Sequence, residues 1–219
     1  EKYNSFGEYA QRIQGKEVLI EDGDKFILDK IPVQNAASNT EKSVINYVIE
    51  NETLKGKVKI DYLGESRASF LYSYNSIKND KKEDALRWYL NSKDKNCTVT
   101  NIKTSDLLNR DQKLTLDYDV SIANHVSSFD NEIYVDLNYN KEYNSFDFKE
   151  RKTDFMLSYK SFDDITISLQ IPDGYKVTKM PENISIITDD YTISMKYEVK
   201  GNTLEYTKQF QFKNGIIKS

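Results

Sequence analysis

The sequence alternates apolar and polar residues without interruption over the stretch Leu114-Thr115-Leu116-Asp117-Tyr118-Asp119-Val120-Ser121-Ile122. Successive side chains of a β-strand point to opposite faces, so a period of two is typical of a strand with one buried face. We therefore expect the five apolar side chains to face a core and the four polar ones to face solvent or a polar neighbour. Similar alternations recur along the chain, which predicts a mainly β protein.

The first half of the chain combines such strands with a helical segment. Residues 44–49 and 58–62 carry strand patterns, and Gly64 ends the second of them. Between residues 65 and 91 the apolar residues instead recur at steps of three and four, as on one face of a helix. This change of period predicts two short helices inserted into a β framework.

The last third of the chain is a series of strands separated by turn signals. The segment Ile171-Pro172-Asp173-Gly174-Tyr175-Lys176-Val177 ends one strand, because proline removes a backbone donor and Asp-Gly favours a turn. Lys200-Gly201-Asn202 separates the strand patterns of Ile193–Val199 and Leu204–Phe212, and so short a turn predicts an antiparallel hairpin. We expect a sandwich of strands here, without a helix longer than one or two turns.

These patterns predict an α+β chain of two antiparallel β-sandwich-like modules. Residues 1–43 are interpreted as a connecting segment after an absent upstream domain. Residues 44–145 form the first module, with the helical insertion at about 65–91, and residues 146–219 form the C-terminal sandwich.

Within the connecting segment, one small hairpin and one linker are expected. Val18-Leu19-Ile20 and Phe26-Ile27-Leu28 flank the turn-forming run Glu21-Asp22-Gly23-Asp24, which predicts two short paired strands. The polar stretch Gln34–Lys42 has no apolar face to bury and is interpreted as a linker.

Composition excludes several classes of function. The formal net charge of the 219 residues is −4, and lysines are interleaved with acidic residues, so we expect no nucleic-acid partner. No run approaches the roughly 18 apolar residues of a membrane-spanning helix. With 16 Tyr and 10 Phe the chain has enough aromatic residues to fold. It begins at Glu1 rather than Met, which we interpret as a processed or partial chain whose targeting signal, if it has one, lies upstream.

One set of residues has the chain order of a cysteine protease triad, namely Cys97, His125 and Asp136. A nucleophilic thiolate needs a lowered pKa, usually from a helix N-terminus and an adjacent imidazole. Cys97 instead lies in a strand-like context, and no aromatic residue follows His125. We therefore predict no catalytic residue in this chain, and interpret Cys97 as a buried thiol and His125 as a loop histidine.

Two further patterns could indicate a binding site. The acidic residues Asp117 and Asp119, with the pairs Asp163-Asp164 and Asp189-Asp190, lack the fixed spacing that converges six or more oxygens on calcium. They are interpreted as a solvated strand face and turn formers, so no metal or cofactor is expected. Tyrosine rings can stack on sugars. The tyrosines that suggest such a platform lie on the apolar sides of their elements and are interpreted as mostly core or sheet-face residues: Tyr72, Tyr118, Tyr159 and Tyr197.

Several short motifs resemble one known family in the same order. They are Gly56-Lys57-Val58-Lys59-Ile60-Asp61-Tyr62-Leu63-Gly64-Glu65-Ser66-Arg67-Ala68, then Arg151 to Tyr159, Ile171 to Val177, Met180-Pro181, and Tyr197 to Phe210. This series is similar to the region downstream of the catalytic core in large bacterial transglutaminase-like proteins of the papain-like cysteine protease superfamily. Their C-terminal region is a β domain of unknown function. Phe6-Gly7 to Ile20 resembles the tail that leaves the core.

The resemblance implies a non-catalytic accessory region that packs on an upstream transglutaminase-like domain of the same chain or presents a binding surface. It also implies export to the periplasm or cell surface. The family's catalytic Cys, His and Asp would lie upstream of Glu1, and none of them can be assigned here. The alternative is a free-standing β module that binds a polysaccharide or a peptide. Sequence context distinguishes the two, because only the first requires an upstream catalytic domain in the same reading frame.

Overall fold

The computed structural model describes residues 2–92, 94–139, 141 and 152–217. Its regular elements are mostly strands, with two short α-helices and two single-turn 3-10 helices at Ala36–Ser38 and Asn79–Lys81. The helices are α1 (Gly64–Ser76) and α2 (Lys82–Leu90). The strands are β1 (Glu17–Asp22), β2 (Lys25–Lys30), β3 (Thr40–Glu50), β4 (Thr53–Tyr62), β5 (Cys97–Thr104), β6 (Leu114–Ile122), β7 (Val126–Phe129), β8 (Glu132–Val135), β9 (Phe155–Met156), β10 (Phe162–Gln170), β11 (Ile184–Ile187), β12 (Tyr191–Lys200), β13 (Thr203–Phe212) and β14 (Ile216–Ile217).

Eight strands form one mixed sheet in the order β11-β12-β13-β10-β3-β4-β6-β5. Seven neighbour pairs join them, and six of these are antiparallel. The exception is β10 with β3, which run parallel from Phe162 opposite Thr40 to Leu169 opposite Tyr47. The mainly β prediction with its two-helix insertion is confirmed.

The strand pairing differs from the two antiparallel sandwiches expected from sequence. Strands from both sides of the predicted module boundary join edge to edge through β3 and β10. An unpaired sheet edge exposes a row of N–H and C=O groups, and pairing between the two halves satisfies them. The long chain segment between β3 and β10 permits the parallel direction, which a short turn forbids. The boundary expected between residues 145 and 146 lies outside the described residues.

The register predicted for β6 is confirmed. Its five apolar residues are buried, whereas Asp117 is exposed and the other polar residues are partly exposed. On the polar face, Asp119 accepts a hydrogen bond from Lys57 Nζ at 2.7 Å. The apolar face packs with Leu71 of α1 and with Leu86 and Leu90 of α2 in one core. The helices therefore cover the side of the sheet that the alternation marks as buried.

The C-terminal hairpin is also confirmed. Strand β12 pairs antiparallel with β13 through the two-residue turn Gly201-Asn202, where Gly201 has a φ of +60°. Strand β10 ends at Gln170, and Gly174 has a φ of +81° in the turn that follows. The chain next enters the sheet as the short edge strand β11, and no described residue from 152 to 217 is helical.

The polar stretch Gln34–Lys42 is not a linker. Strand β3 begins at Thr40, and Asn39 is fully buried. Its Oδ1 accepts a hydrogen bond from the backbone N–H of Glu65 at 2.9 Å, and its Nδ2 donates to Lys160 O at 2.8 Å. The prediction was wrong because it counted only apolar burial, whereas a polar side chain can be buried when its hydrogen bonds are satisfied.

Candidate functional site

The hairpin of β1 and β2 exposes apolar residues on both of its faces. Its two-stranded pairing, which places Leu19 opposite Leu28 and Ile20 opposite Ile27, confirms the small hairpin expected there. These four side chains and Phe26 are between 44% and 67% exposed. An isolated two-stranded hairpin is at best marginally stable in water. The exposed rows therefore make the hairpin a candidate docking surface for another protein segment or domain.

A cavity of about 330 Å³ lies on the apolar face of the large sheet. Its floor comes from β3, β4, β6 and β10, and its walls include Trp88 and Tyr89 of α2. Tyr139 closes another side and shares a hydrogen bond with Tyr47, with the two hydroxyl oxygens 2.7 Å apart. Ligand pockets are commonly apolar with a few polar groups, and this cavity has that composition.

One charged residue of this cavity was missed from sequence. Lys208 lies on the buried face of β13, between Tyr206 and Phe210, and is only 2% exposed. Its Nζ donates a hydrogen bond to Asn138 Oδ1 at 3.2 Å, and its side chain lines the cavity. The available signal was the alternation itself, because a lysine occupies an apolar position of an otherwise aromatic strand face.

A second cavity, of about 300 Å³, lies between α1, α2 and Tyr159. It shares Glu41, Tyr62 and Tyr89 with the first, and the hydroxyl oxygens of Tyr62 and Tyr89 are 3.0 Å apart. Burial, with the negative charge of Glu41, raises the pKa of Tyr89 to about 12. The same causes raise the pKa of Tyr62 well above its ordinary value. Both phenols are therefore neutral hydroxyls at physiological pH.

The structure arranges Cys97, His125 and Asp136, which share the chain order of a cysteine protease triad, differently from such a triad. His125 Nε2 lies 3.5 Å from Asp94 Oδ2, so its side-chain partner is Asp94. Asp136 meets His125 through the main chain, where Asp136 N donates to His125 O at 3.0 Å. Burial, with a contribution from Asp94, raises the pKa of the Cys97 thiol to about 11. A raised pKa is the opposite of what a thiolate nucleophile needs.

The acidic residues are engaged in separate local contacts. Asp119 accepts from Asn101 Nδ2 at 2.6 Å, and Asp164 accepts from Gln209 Nε2 at 2.9 Å. Asp163 and Asp164 were expected in a turn, but they lie in β10, whose backbone pairs with strands on both sides. Within the described ranges, no group of three or more His, Cys, Asp or Glu residues could hold a metal ion.

The tyrosines considered as a sugar platform lie in different environments. Tyr118 is buried in the sheet, and Tyr197 stacks on Tyr206 with ring centroids 4.3 Å apart. Tyr159 is partly buried. Tyr72 was placed on an apolar side from sequence, but it is 69% exposed on α1. The prediction for Tyr72 was wrong because the buried face of α1 contains Ala68 and Leu71 and does not include Tyr72.

Comparison with known families assigns part of the chain. Residues 131–219 match DUF3858, a domain of unknown function. The match includes β10 to β13, so the DUF3858 segment supplies half of the strands in the large sheet, and β3 to β6 precede it in the chain. No curated protein and no solved structure matches the chain. Among the described residues, no helix combines the length and apolar character needed to cross a membrane.

Proposed function

We propose that this chain is a non-catalytic accessory region of an exported transglutaminase-like protein, and that it packs on the catalytic domain through the hairpin of β1 and β2. The observation that carries the proposal is the pair of exposed apolar faces on that hairpin. The sequence resemblance supports the partner, because the segment that resembles the tail of a transglutaminase-like core extends into β1.

The route of the chain before the hairpin supports this arrangement. Asn4 Nδ2 and Gln11 N both donate to the buried carboxylate of Glu65, each at 2.9 Å. Gly15 N donates to Ile31 O and Ile31 N donates to Lys16 O, which closes the base of the hairpin. The segment is thus fixed on α1 while the hairpin projects from it. Such an arrangement presents the apolar rows at a defined position for a neighbouring domain.

The chemistry of the chain supports an accessory role rather than catalysis. The raised pKa of Cys97 keeps its sulfur protonated, and the side chain of His125 is directed to Asp94. We therefore expect no peptidase or acyl-transfer activity from this chain alone. Export to the periplasm or cell surface is part of the proposal and follows from the family resemblance; fractionation of the producing cells tests it.

The alternative, a free-standing module that binds a polysaccharide or a peptide, is favoured by the cavity on the sheet face. The sequence of the complete reading frame separates the two functions. The accessory function requires a domain with a Cys-His-Asp triad upstream of residue 1. A reading frame without such a domain would overturn it and leave the binding module.

A direct binding measurement tests the docking surface. The upstream domain is expressed separately and titrated with this chain by calorimetry. We expect the double variant Leu19→Asp, Leu28→Asp to weaken binding at least tenfold, because it places charges in an apolar contact. The matched control is Ile187→Asp, which changes a similarly exposed apolar residue on the edge strand β11 of the large sheet. Equal affinities of the hairpin variant and the wild type would rule out this surface.

A further inference from the structure

The cavity between α1, α2 and Tyr159 is rich in aromatic rings. The described residues that line it include five aromatic ones: Tyr62, Phe70, Tyr74, Tyr89 and Tyr159. Its volume of about 300 Å³ is at the lower end of ligand pockets, roughly 300–1,000 Å³. The cavity therefore suits a compact molecule that binds to aromatic rings.

Four of these rings form one group around Phe70. The ring centroids of Phe70 and Tyr62 are 5.4 Å apart, with the planes tilted by 30°, and the ring of Tyr89 meets Phe70 edge-on at the same distance. Tyr74 follows Phe70 by one helical turn on α1, and its ring lies nearly parallel to that of Phe70 at 6.1 Å. The faces of the rings carry the negative part of the aromatic quadrupole, so the group attracts positive charge.

The charge of the lining also favours a cation. Among the described residues that line the cavity, none is a lysine, arginine or histidine, and Glu41 is the one that carries a charge at neutral pH. Burial raises the pKa of Tyr159, and the negative charges of Asp163 and Glu41 contribute to that rise. A negative potential therefore acts at this part of the cavity, whatever other contacts the two carboxylates make.

One ring of the group already binds an ammonium group of the chain itself. Lys82 Nζ lies 5.1 Å from the ring centroid of Tyr74, within the roughly 6 Å of a cation–π interaction. Lys82 is at the start of α2, and its side chain does not line the cavity. The Tyr74 ring is therefore accessible to a cation at the edge of the cavity.

We propose that this cavity binds a compact quaternary ammonium group, with the aromatic rings around the cation. A primary ammonium has three N–H donors that need acceptors when it leaves water, whereas a quaternary ammonium has none and is held by aromatic faces. A free solute such as choline and a choline lipid head group share this chemistry. The inference goes beyond the accessory function and does not depend on the hairpin or on an upstream domain.

Calorimetric titration of the chain with choline and with tetramethylammonium measures binding. The neutral comparison is 3,3-dimethyl-1-butanol, which keeps the shape of choline but has carbon in place of the charged nitrogen. We expect choline to bind about tenfold more tightly than this alcohol, because only the cation is attracted by the ring faces.

Variants of α1 locate the site. Tyr74→Leu removes one ring and should weaken choline binding about fivefold or more, whereas Tyr74→Phe keeps the ring and should stay within twofold of the wild type. The matched control is Tyr72→Leu, because Tyr72 is on the same helix, is 69% exposed and does not line the cavity. This control should also stay within twofold.

Sedimentation with vesicles distinguishes the two sources of the group. Once choline binding is measured, greater retention on vesicles of phosphatidylcholine than of phosphatidylglycerol assigns the group to a lipid head group. The lack of such a preference assigns it to a free solute. Either result agrees with a quaternary ammonium site.

Three results would overturn the proposal. They are no binding of choline or tetramethylammonium at millimolar concentration, equal affinity of the wild type for choline and the neutral alcohol, and equal choline affinities of Tyr74→Leu and Tyr72→Leu. If Tyr74→Leu fails to fold, the comparison on the wild type decides. Preference for choline over the alcohol then supports the proposal, and equal affinity contradicts it.

Discussion

The carboxylate of Glu8 accepts a hydrogen bond from Nη2 of Arg67 at 2.5 Å, and this ion pair joins the N-terminal segment to the first turns of α1. The Arg67 side chain is almost completely buried, and its Nη1 donates to Gln112 O at 3.3 Å. A buried guanidinium without its carboxylate would remain as an uncompensated charge. Arg67 therefore links three parts of the chain that are distant in sequence, through Glu8 and Gln112.

We expect Glu8→Gln to lower the free energy of unfolding by about 2–4 kcal/mol, because it leaves the buried charge of Arg67 without its partner. Urea denaturation followed by circular dichroism measures the change. Glu83→Gln is the control, since Glu83 forms an exposed pair with Arg87 one helical turn away, where about 0.5 kcal/mol or less is expected. Similar losses in the two variants would contradict the importance of the buried pair.

Replacement of Asn39 should destabilise α1 and the start of β3 together. Asn39→Ala removes one hydrogen bond to Glu65 N and one to Lys160 O, and leaves both backbone groups without these bonds, so we expect a loss of about 2–4 kcal/mol. Asn35→Ala is matched in chemistry but removes exposed hydrogen bonds that Ser38 N and Ser38 Oγ donate to the Asn35 side chain, with an expected loss of about 1 kcal/mol. Equal thermal unfolding of the two variants would refute the role given to Asn39.

Gly56 permits close packing between β3 and β4. A Cβ at this position would lie 2.1 Å from Asn46 O and 2.7 Å from Tyr47 Cδ1, and the first of these is backbone that cannot move aside cheaply. We expect Gly56→Ala to cost about 3 kcal/mol or more in unfolding free energy. At Gly215 an added Cβ meets nothing closer than 3.9 Å, so Gly215→Ala should change stability little. Chemical denaturation of both variants tests the difference.

The thiol of Cys97 should react slowly in the folded protein. With a pKa near 11 rather than 9, its thiolate fraction at pH 8 is roughly a hundredfold smaller than in the unfolded chain. Alkylation by iodoacetamide, followed by mass spectrometry, should therefore be much slower for native protein than for protein in urea. Fast alkylation of the native protein at pH 8 would contradict the raised pKa.

The same pKa shift gives a pH dependence of stability. The pKa of the Cys97 thiol is higher in the folded than in the unfolded chain. The contribution of the protonated thiol to the free energy of unfolding is therefore fully present below about pH 9 and is lost as the pH rises towards 11. Comparison of the wild type with Cys97→Ala over this range isolates the effect of the thiol, because the other groups that titrate there are the same in both proteins.

Local patterns were sufficient for much of the fold. The alternation in β6, the two-residue turn after β12 and the change of period between residues 65 and 91 each depend on neighbours a few positions apart. Backbone stereochemistry and the need to bury one face therefore determine these elements within the sequence itself. The exposed hairpin of β1 and β2 was predicted for the same reason.

Only the tertiary structure decided which strands from distant parts of the chain became neighbours. The parallel pairing of β10 with β3 joins residues more than 120 positions apart, and no local pattern encodes which edge meets which. The burial of Asn39 and Lys208 was not predicted, for a related reason. A polar side chain can be buried when distant groups satisfy its hydrogen bonds. Asn39 donates to Lys160 O, and Lys208 donates to Asn138 Oδ1, only after the chain has folded. Sequence thus determined the elements, whereas long-range hydrogen bonding and packing determined the sheet and its cavity.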